Sequence, residues 1–171
     1  IENFKIDINS LIEQLFHTDF NRCYQSMKEL QTYPSNEVLH NLNINWDRAK
    51  SDYGAIYFFI NVYKFLLERG CYDKSILQKI DFLLSDYWPD YMKFKSSAIQ
   101  IFGYLNDIRF YDEFYKFSDE GLTPFWKNRY TALLVCGHKD IANKQDFASL
   151  FLEDSHRFVR FKARQICYNR L

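Results

Sequence analysis

A short motif recurs three times in the second half of the chain, at a spacing that constrains the architecture. Each copy places a basic residue three positions before an alanine, at Ala98, Ala132 and Ala163. The alanines lie 34 and 31 residues apart, a period typical of stacked helical hairpins. The sequence therefore predicts an all-α fold, a right-handed superhelix of about four stacked hairpins.

Composition agrees with a helical chain. Of the 171 residues, 47% are hydrophobic and 26% are charged, which is ordinary for one folded domain. Aromatic residues reach 19%, whereas there are only 5 Gly and 3 Pro, so long helices packed by large rings are favoured. We expect a single domain over residues 1–171, with irregular hairpins at 1–70 and more regular repeats at 71–171.

Periodicity and capping residues predict the helices. They are expected at residues 7–16, 19–32, 48–69, 74–86, 90–105, 109–118, 124–137, 144–152 and 156–169. Asp19 and Asp73 are suited to cap free amides, and Pro89 and Pro124 to open helices. The Asn-rich stretch 33–47 is predicted to be an irregular connection or a frayed helix, and 139–143 an interhelical loop.

Residues 150–163 resemble a HEAT repeat, in which a first helix ends in leucines and an aspartate, and a second opens with Val-Arg and then Ala. The matching positions are Leu152, Asp154, Val159, Arg160 and Ala163. A weaker copy ends at Ala98, with lysine in place of arginine. The resemblance covers the second half of the chain and implies an α-solenoid whose second helices line a concave recognition surface.

The repeated alanines also divide each second helix into two faces. Ile101, Val135 and Ile166 fall on the alanine side, which we expect to be buried. We expect the opposite face to bind a partner through Lys93, Ser97, Gln100, Tyr104, Lys127, Tyr130, Thr131, Leu134, His138, Phe158, Phe161, Lys162 and Gln165. Rings edged by Lys and Gln are typical of protein-recognition patches, although burial of some rings against a neighbour is the alternative.

No motif for catalysis or metal binding stands out. The four cysteines are too widely spaced for a CxxC motif, so we expect reduced thiols, a cytoplasmic location, and Cys136 and Cys167 in the core. The histidines lack metal-ligand spacing, and the adjacent acidic pairs do not share a helix face. We therefore expect no enzyme activity, no catalytic residue, no metal and no cofactor.

Charge is balanced overall, with 22 basic and 22 acidic residues, but basic residues gather near the C-terminus. This basic cluster consists of Arg157, Arg160, Lys162, Arg164 and Arg170. We favour a structural interpretation in which Arg160 pairs with an aspartate and the others are solvated. Contact with a phosphate backbone is the alternative.

The chain lacks a catalytic or metal-binding motif, and the helix face opposite the alanines is rich in aromatic rings. These two features predict a non-enzymatic protein-binding module. HEAT-like proteins include bacterial immunity proteins, so the resemblance implies an immunity or inhibitor protein that neutralises a cognate toxin. The expected partner is a protein bound by a monomer in a heterodimeric complex, without a membrane. The alternative function is HEAT-like nucleic-acid binding or DNA repair through the basic C-terminal helices.

Overall fold

The computed structural model describes residues 5–71, 73–76, 78–79, 93–104, 115–138 and 144–168, without the side chains at 93, 94, 102–104 and 138. Contacts between Cα atoms divide the chain into two compact units, Ile1–Asp73 and Lys74–Leu171. Unit 1 contains α1 (Ile8–Gln14), α2 (Phe20–Leu30), α3 (Ser35–Ala49) and α4 (Tyr53–Glu68). Unit 2 contains α5 (Lys93–Tyr104), α6 (Trp126–His138), α7 (Lys144–Ser149) and α8 (Arg157–Tyr168).

The predicted all-α class is confirmed. All eight of these elements are helices, and no strand occurs within the described ranges. Among the same residues, no helix combines the length and apolarity needed to cross a bilayer.

Unit 1 consists of two helical hairpins that pack on one another. α1 pairs with α2 and α3 with α4, while α1 also contacts α3 and α2 contacts α4. α4 supplies more of the core than any other helix of the unit, because it is apolar around nearly its whole circumference. Ile56, Phe59 and Val62 of α4 are fully buried, as is Leu30 of α2. Packed helical hairpins therefore occur in unit 1 as well, although the repeated alanine motif lies in the second half of the chain.

Side-chain caps fix where two of these helices begin. The Asp19 carboxylate accepts a hydrogen bond from the Asn21 amide at 2.9 Å, as expected from the sequence. Asp52 does the same for the Ala55 amide at 3.1 Å. Gly70, just beyond α4, has φ of +78°, a conformation that glycine adopts without steric cost.

The expectation of an irregular connection at residues 33–47 is wrong, because α3 runs through most of this stretch. Its apolar residues recur at helical spacing, and the buried ones are Val38, Leu39, Leu42, Trp46 and Ala49. The Asn41 and Asn45 amides each donate to the carbonyl four residues earlier at 2.8 Å. Burial of the apolar face of α3 and the hydrogen bonds of the asparagine side chains to the helix backbone together outweigh the weak helix propensity of asparagine.

Unit 2 is built around the repeated alanines. α6 contacts α5, α7 and α8, and α7 pairs with α8. Ala98, Ala132 and Ala163 are each 0% exposed, which confirms that these small residues lie where helices meet. Ile101, Val135 and Ile166 are buried as predicted, and so is Cys136, whereas Cys167 is only partly buried.

Some predictions fall on residues beyond the described ranges. The described parts of the predicted helices 74–86 and 109–118 are helical, at 75–76, 78–79 and 115–118. The predicted loop at 139–143 lies outside the described residues. The prediction of a single domain stays a prediction.

Candidate functional site

A buried arginine organises the surface of unit 2. Arg129 of α6 is only 2% exposed, and its guanidinium binds the Asp154 carboxylate through two atoms. Nε lies 2.7 Å from Oδ2 and Nη2 lies 3.0 Å from Oδ1, the paired geometry that gives arginine–carboxylate contacts their strength. Among the repeated basic residues, Arg129 therefore makes the aspartate pair that the sequence predicted for Arg160.

The same two residues tie down the segments that precede α6 and α8. Nη1 of Arg129 donates to the carbonyl oxygens of Thr123 at 3.0 Å and Pro124 at 2.8 Å. Asp154 Oδ1 accepts the backbone N–H of His156 at 2.8 Å. The Arg129–Asp154 pair thus fixes the N-terminal ends of both helices relative to one another.

Arg160 does not make the carboxylate contact that the sequence suggested. Its guanidinium donates to the carbonyl oxygens of Asp154 at 2.7 Å and Ser155 at 2.9 Å. Arg129 already occupies both carboxylate oxygens of Asp154. Arg160 therefore stabilises the turn before α8 through backbone acceptors.

Four rings meet where these helix ends come together, and we call Trp126, Tyr130, His156 and Phe158 the ring cluster. Trp126 and His156 stack in parallel, with centroids 4.0 Å apart and planes inclined by 3°. Phe158 lies edge-on to both, at 5.7 Å from Trp126 and 5.3 Å from His156. Tyr130, one turn along α6, lies 6.2 Å from Trp126. Edge-to-face and offset contacts at these distances are favourable.

The ring cluster remains open to solvent on one side. Trp126, Tyr130 and His156 are half-buried, and Phe158 is 48% exposed. The His156 Nδ1 atom accepts the Phe158 backbone N–H at 3.3 Å, so its other ring nitrogen, Nε2, stays free of this helix-end contact. The surface therefore offers the faces and edges of several rings to a ligand.

Two cations border the cluster. The Lys127 ammonium lies 5.8 Å from the Trp126 ring centroid, and the Arg157 guanidinium lies 4.9 Å from that of Phe158. Both residues are exposed, so their charges are available to an anion. A flat apolar molecule with carboxylate substituents would match this combination of rings and cations.

The structure brings three of the predicted partner-binding residues together at this site, namely Lys127, Tyr130 and Phe158. Phe161 is 62% exposed further along α8. Of the other predicted residues, those with partly exposed side chains are Ser97, Gln100, Leu134, Lys162 and Gln165. The side chains of Lys93, Tyr104 and His138 lie outside the described part of the chain.

Thr131 departs from the predicted exposed face. It is 7% exposed, and its hydroxyl donates to the Lys127 carbonyl at 2.8 Å and lies 2.7 Å from the Ser96 hydroxyl. Contact between α5 and α6 therefore covers Thr131, and its role is to join the two helices.

Trp126 and His156 were missed as site residues. A signal was present, because Trp126 and Phe158 stand six and five residues before equivalent alanines and thus at equivalent helix ends. His156 carries no such signal, since the Asp154 contact with its backbone is what directs it to Trp126.

The described residues offer no strong nucleophile among the thiols of unit 2. Burial raises the pKa of the Cys136 thiol to about 12, and its Sγ lies 3.5 Å from the Lys144 carbonyl oxygen. Burial also raises the pKa of Cys167. Within the described ranges, no group of His, Cys, Asp and Glu side chains is arranged to hold a metal ion.

Two curated proteins are similar to this chain. One, from Synechococcus sp. (strain WH8020), is named "Bilin biosynthesis protein CpeY" and is 30% identical over 98 residues, covering 56% of this chain and 23% of that protein. The other, from Pseudanabaena tenuis (strain PCC 7409), is named "Uncharacterized phycocyanin operon protein Y". It is 27% identical over 149 residues, which cover 82% of this chain and 33% of that protein. The chain thus matches a quarter to a third of the length of these relatives. No family model matches the sequence, and neither does a solved structure.

These relatives overturn the family assigned from the repeat. The chain resembles proteins of bilin biosynthesis and of a phycocyanin operon, so the assignment to HEAT-repeat or immunity proteins is wrong. Small residues at helix crossings and a buried ion pair between turns can stabilise stacked helical hairpins of unrelated families. They therefore identify an architecture and not a family.

The functional expectations are corrected by the same finding. A relative named for biosynthesis contradicts the non-enzymatic module, the toxin partner in a heterodimeric complex, and the nucleic-acid or DNA-repair alternative. Those expectations rested on the lack of a catalytic motif, on the aromatic helix face, on the resemblance to HEAT-like proteins and, for nucleic acid, on the basic C-terminal residues. A site assembled from ring faces and two cations carries no such motif.

Proposed function

We propose that the chain acts in bilin biosynthesis, as a segment of an enzyme that binds the bilin at the ring cluster of unit 2. The observation that carries the proposal is the Trp126–His156 stack, bordered by Lys127 and Arg157, in a chain similar to a bilin biosynthesis protein.

The chemistry of a bilin fits this surface. A bilin is an open-chain tetrapyrrole, with a conjugated apolar body and carboxylate side chains. Its pyrrole rings would lie against Phe158 and the edge of the Trp126–His156 stack, where aromatic contacts each contribute about 0.5–1.5 kcal/mol beyond area burial. Lys127 and Arg157 would bind the carboxylates, and arginine can do so through two hydrogen bonds.

Several residues of unit 2 would have distinct parts in binding the bilin. The buried Arg129–Asp154 pair holds the two helix ends before the ligand arrives, so little ordering remains to be done on binding. Tyr130 and the Nε2 edge of His156 would offer hydrogen bonds to the polar ends of the tetrapyrrole. The proposal puts the chain in the cytoplasm, where its four free cysteines would stay reduced.

Titration with biliverdin, followed by circular dichroism in the visible range, tests the proposal. Binding to a chiral protein site gives the bilin an induced signal whose midpoint reports affinity. We expect Phe158→Ala to weaken binding roughly three- to tenfold through the lost ring contact. Arg157→Gln should weaken it and reduce its dependence on salt.

Phe20→Ala is the matched control, because it removes a ring of similar exposure from unit 1, 58% against 48% for Phe158. It should leave biliverdin affinity unchanged. Absence of an induced signal in the unsubstituted protein, or equal weakening by Phe20→Ala and Phe158→Ala, would contradict the proposal.

A further inference from the structure

One arginine of α8 repeats a binding arrangement that α6 already uses. Arg129 and Arg160 stand three residues before the equivalent alanines, Ala132 and Ala163. Nη1 of Arg129 donates to the carbonyl oxygens six and five residues earlier, at 3.0 and 2.8 Å. Nη1 of Arg160 likewise donates to the carbonyl oxygens six and five residues earlier, at 2.7 and 2.9 Å. The two guanidinium groups are therefore anchored to their own helix ends in the same way.

The remaining donors of the two guanidinium groups differ in what they contact. Nε and Nη2 of Arg129 hold the Asp154 carboxylate, which belongs to the turn before α8. Nε and Nη2 of Arg160 donate to no protein group within the described ranges, and the side chain is partly exposed. Water hydrates these two donors in the free protein, so a carboxylate would bind there by replacing water in the fork. Arg160 thus offers the carboxylate site of Arg129, one repeat later.

The side of α6 that is covered by the next hairpin has an exposed counterpart on α8. Leu133 is 0% exposed, and Arg164, which stands 31 residues later, is exposed. Gly137 packs closely against α8, whereas its counterpart, Tyr168, is 61% exposed. Arg160, Arg164 and Tyr168 follow one another every four residues and therefore share one face of the helix. We call these three residues the outward face of α8.

Charge and residue type indicate what would cover the outward face. α8 contains three arginines and one lysine and no acidic residue between its first and last positions. Arginine and tyrosine, which replace a leucine and a glycine of α6, are enriched where separate proteins associate. The face is therefore suited to an acidic surface of another protein.

The contact between α6 and α8 shows which acidic group enters the fork. Its occupant at Arg129 is an aspartate in the turn that precedes a helix. We propose that the outward face of α8 binds a partner protein through an aspartate in an interhelical turn. Arg160 holds the carboxylate with two hydrogen bonds, while Arg164 and Tyr168 lie beside the turn.

This site is separate from the ring cluster and does not depend on the proposed function. Phe158 of the ring cluster and Arg160 are two positions apart, which corresponds to about 200° around a helix. A bilin at the ring cluster and an aspartate at Arg160 would therefore occupy different sides of α8.

Nuclear magnetic resonance of the isotope-labelled full chain tests the inference. The probe is the capped peptide Ac-Leu-Gln-Asp-Ser-His-NH2, which follows the turn at 152–156 with glutamine in place of its glutamate, so that one carboxylate remains. During titration to about 10 mM, we expect the Nε–H signal of Arg160 to move toward that of Arg129, which is already bonded to a carboxylate. The control peptide, Ac-Leu-Gln-Asn-Ser-His-NH2, should leave the Arg160 signal in place.

Two substitutions that each remove one positive charge from α8 separate the fork from general attraction. Arg164→Gln should weaken binding of the aspartate peptide about two- to fivefold, because it lies one turn from Arg160 on the outward face. Lys162→Gln should leave the affinity nearly unchanged, because its counterpart Thr131 lies at the contact between α5 and α6, on another side of the helix.

Arg160→Lys keeps the charge and removes the fork, so it should weaken binding more than Arg164→Gln does. The Nε–H signal of Arg164 reports binding in this variant. Because Arg164 is exposed and makes no fold contact of this kind, its own substitution tests the site even if Arg160→Lys disturbs the turn.

Two results would overturn the inference. One is that the Arg160 signal responds to neither peptide, or to both equally. The other is that Arg164→Gln and Lys162→Gln weaken binding equally, which would mean that the peptide senses only the overall charge of α8. Both readouts are made without biliverdin, so they are unaffected by whether the ring cluster binds a bilin.

Discussion

At the scale of single residues, a buried charge pair holds together the two helix ends that carry the ring cluster. Arg129 bonds to both oxygens of Asp154 and to the carbonyls of Thr123 and Pro124, and so satisfies most of its guanidinium donors inside the protein. Burial of both partners makes the pair costly to break, because removal of Arg129 leaves the Asp154 carboxylate buried without this cation.

Arg129→Met should therefore reduce the free energy of unfolding by about 3–5 kcal/mol, measured by urea denaturation. Asp154→Asn added to it should recover part of that loss, because the buried charge disappears. Arg164→Met, at an exposed position of α8, is the control and should change stability by less than about 0.5 kcal/mol. Equal losses for Arg129→Met and Arg164→Met would contradict the structural role of the pair.

At the scale of elements, α6 and α8 approach one another closely through small residues. Ala132 and Ala163 are fully buried, and a Cβ atom built on Gly137 would lie 2.9 Å from Ile166 Cδ1. The crossing therefore leaves no space for even one added methyl group unless Ile166 moves.

Gly137→Ala should lower the free energy of unfolding by about 1–2 kcal/mol through overpacking, although alanine has the higher helix propensity. In an Ile166→Val background, which lacks the obstructing Cδ1 atom, the same change should be neutral or stabilising by up to about 1 kcal/mol. A double-mutant cycle in denaturant measures the difference. A stabilising Gly137→Ala in the unsubstituted protein would show that the crossing is looser than described.

Sequence patterns predicted the elements better than the site. The repeated alanines were predicted to be buried because helix crossings require small residues, and they are. The sequence predicted an irregular connection or a frayed helix at residues 33–47, because asparagine has a weak helix propensity, but burial of one apolar face of α3 outweighs that propensity. The Trp126–His156 stack could not be predicted, since bonds from Arg129 and Asp154, far apart in sequence, determine it.

At the scale of the whole molecule, the two units have different surfaces. Unit 1 carries a groove between α1 and α2, and unit 2 carries exposed rings beside cations. The match to a bilin biosynthesis protein covers 56% of this chain but only 23% of that relative, so the relative's activity as a whole remains a proposal for this chain. Binding of a bilin at the ring cluster is the central claim.

The most direct test is the indole N–H resonance of Trp126 on addition of biliverdin. Trp46, 9% exposed in the core of unit 1, is an internal control in the same spectrum. We predict that the Trp126 signal shifts or broadens in proportion to bound biliverdin, because the proposed ligand would lie at the edge of the Trp126–His156 stack, while the Trp46 signal stays in place. An unchanged Trp126 signal at saturating biliverdin would contradict the account.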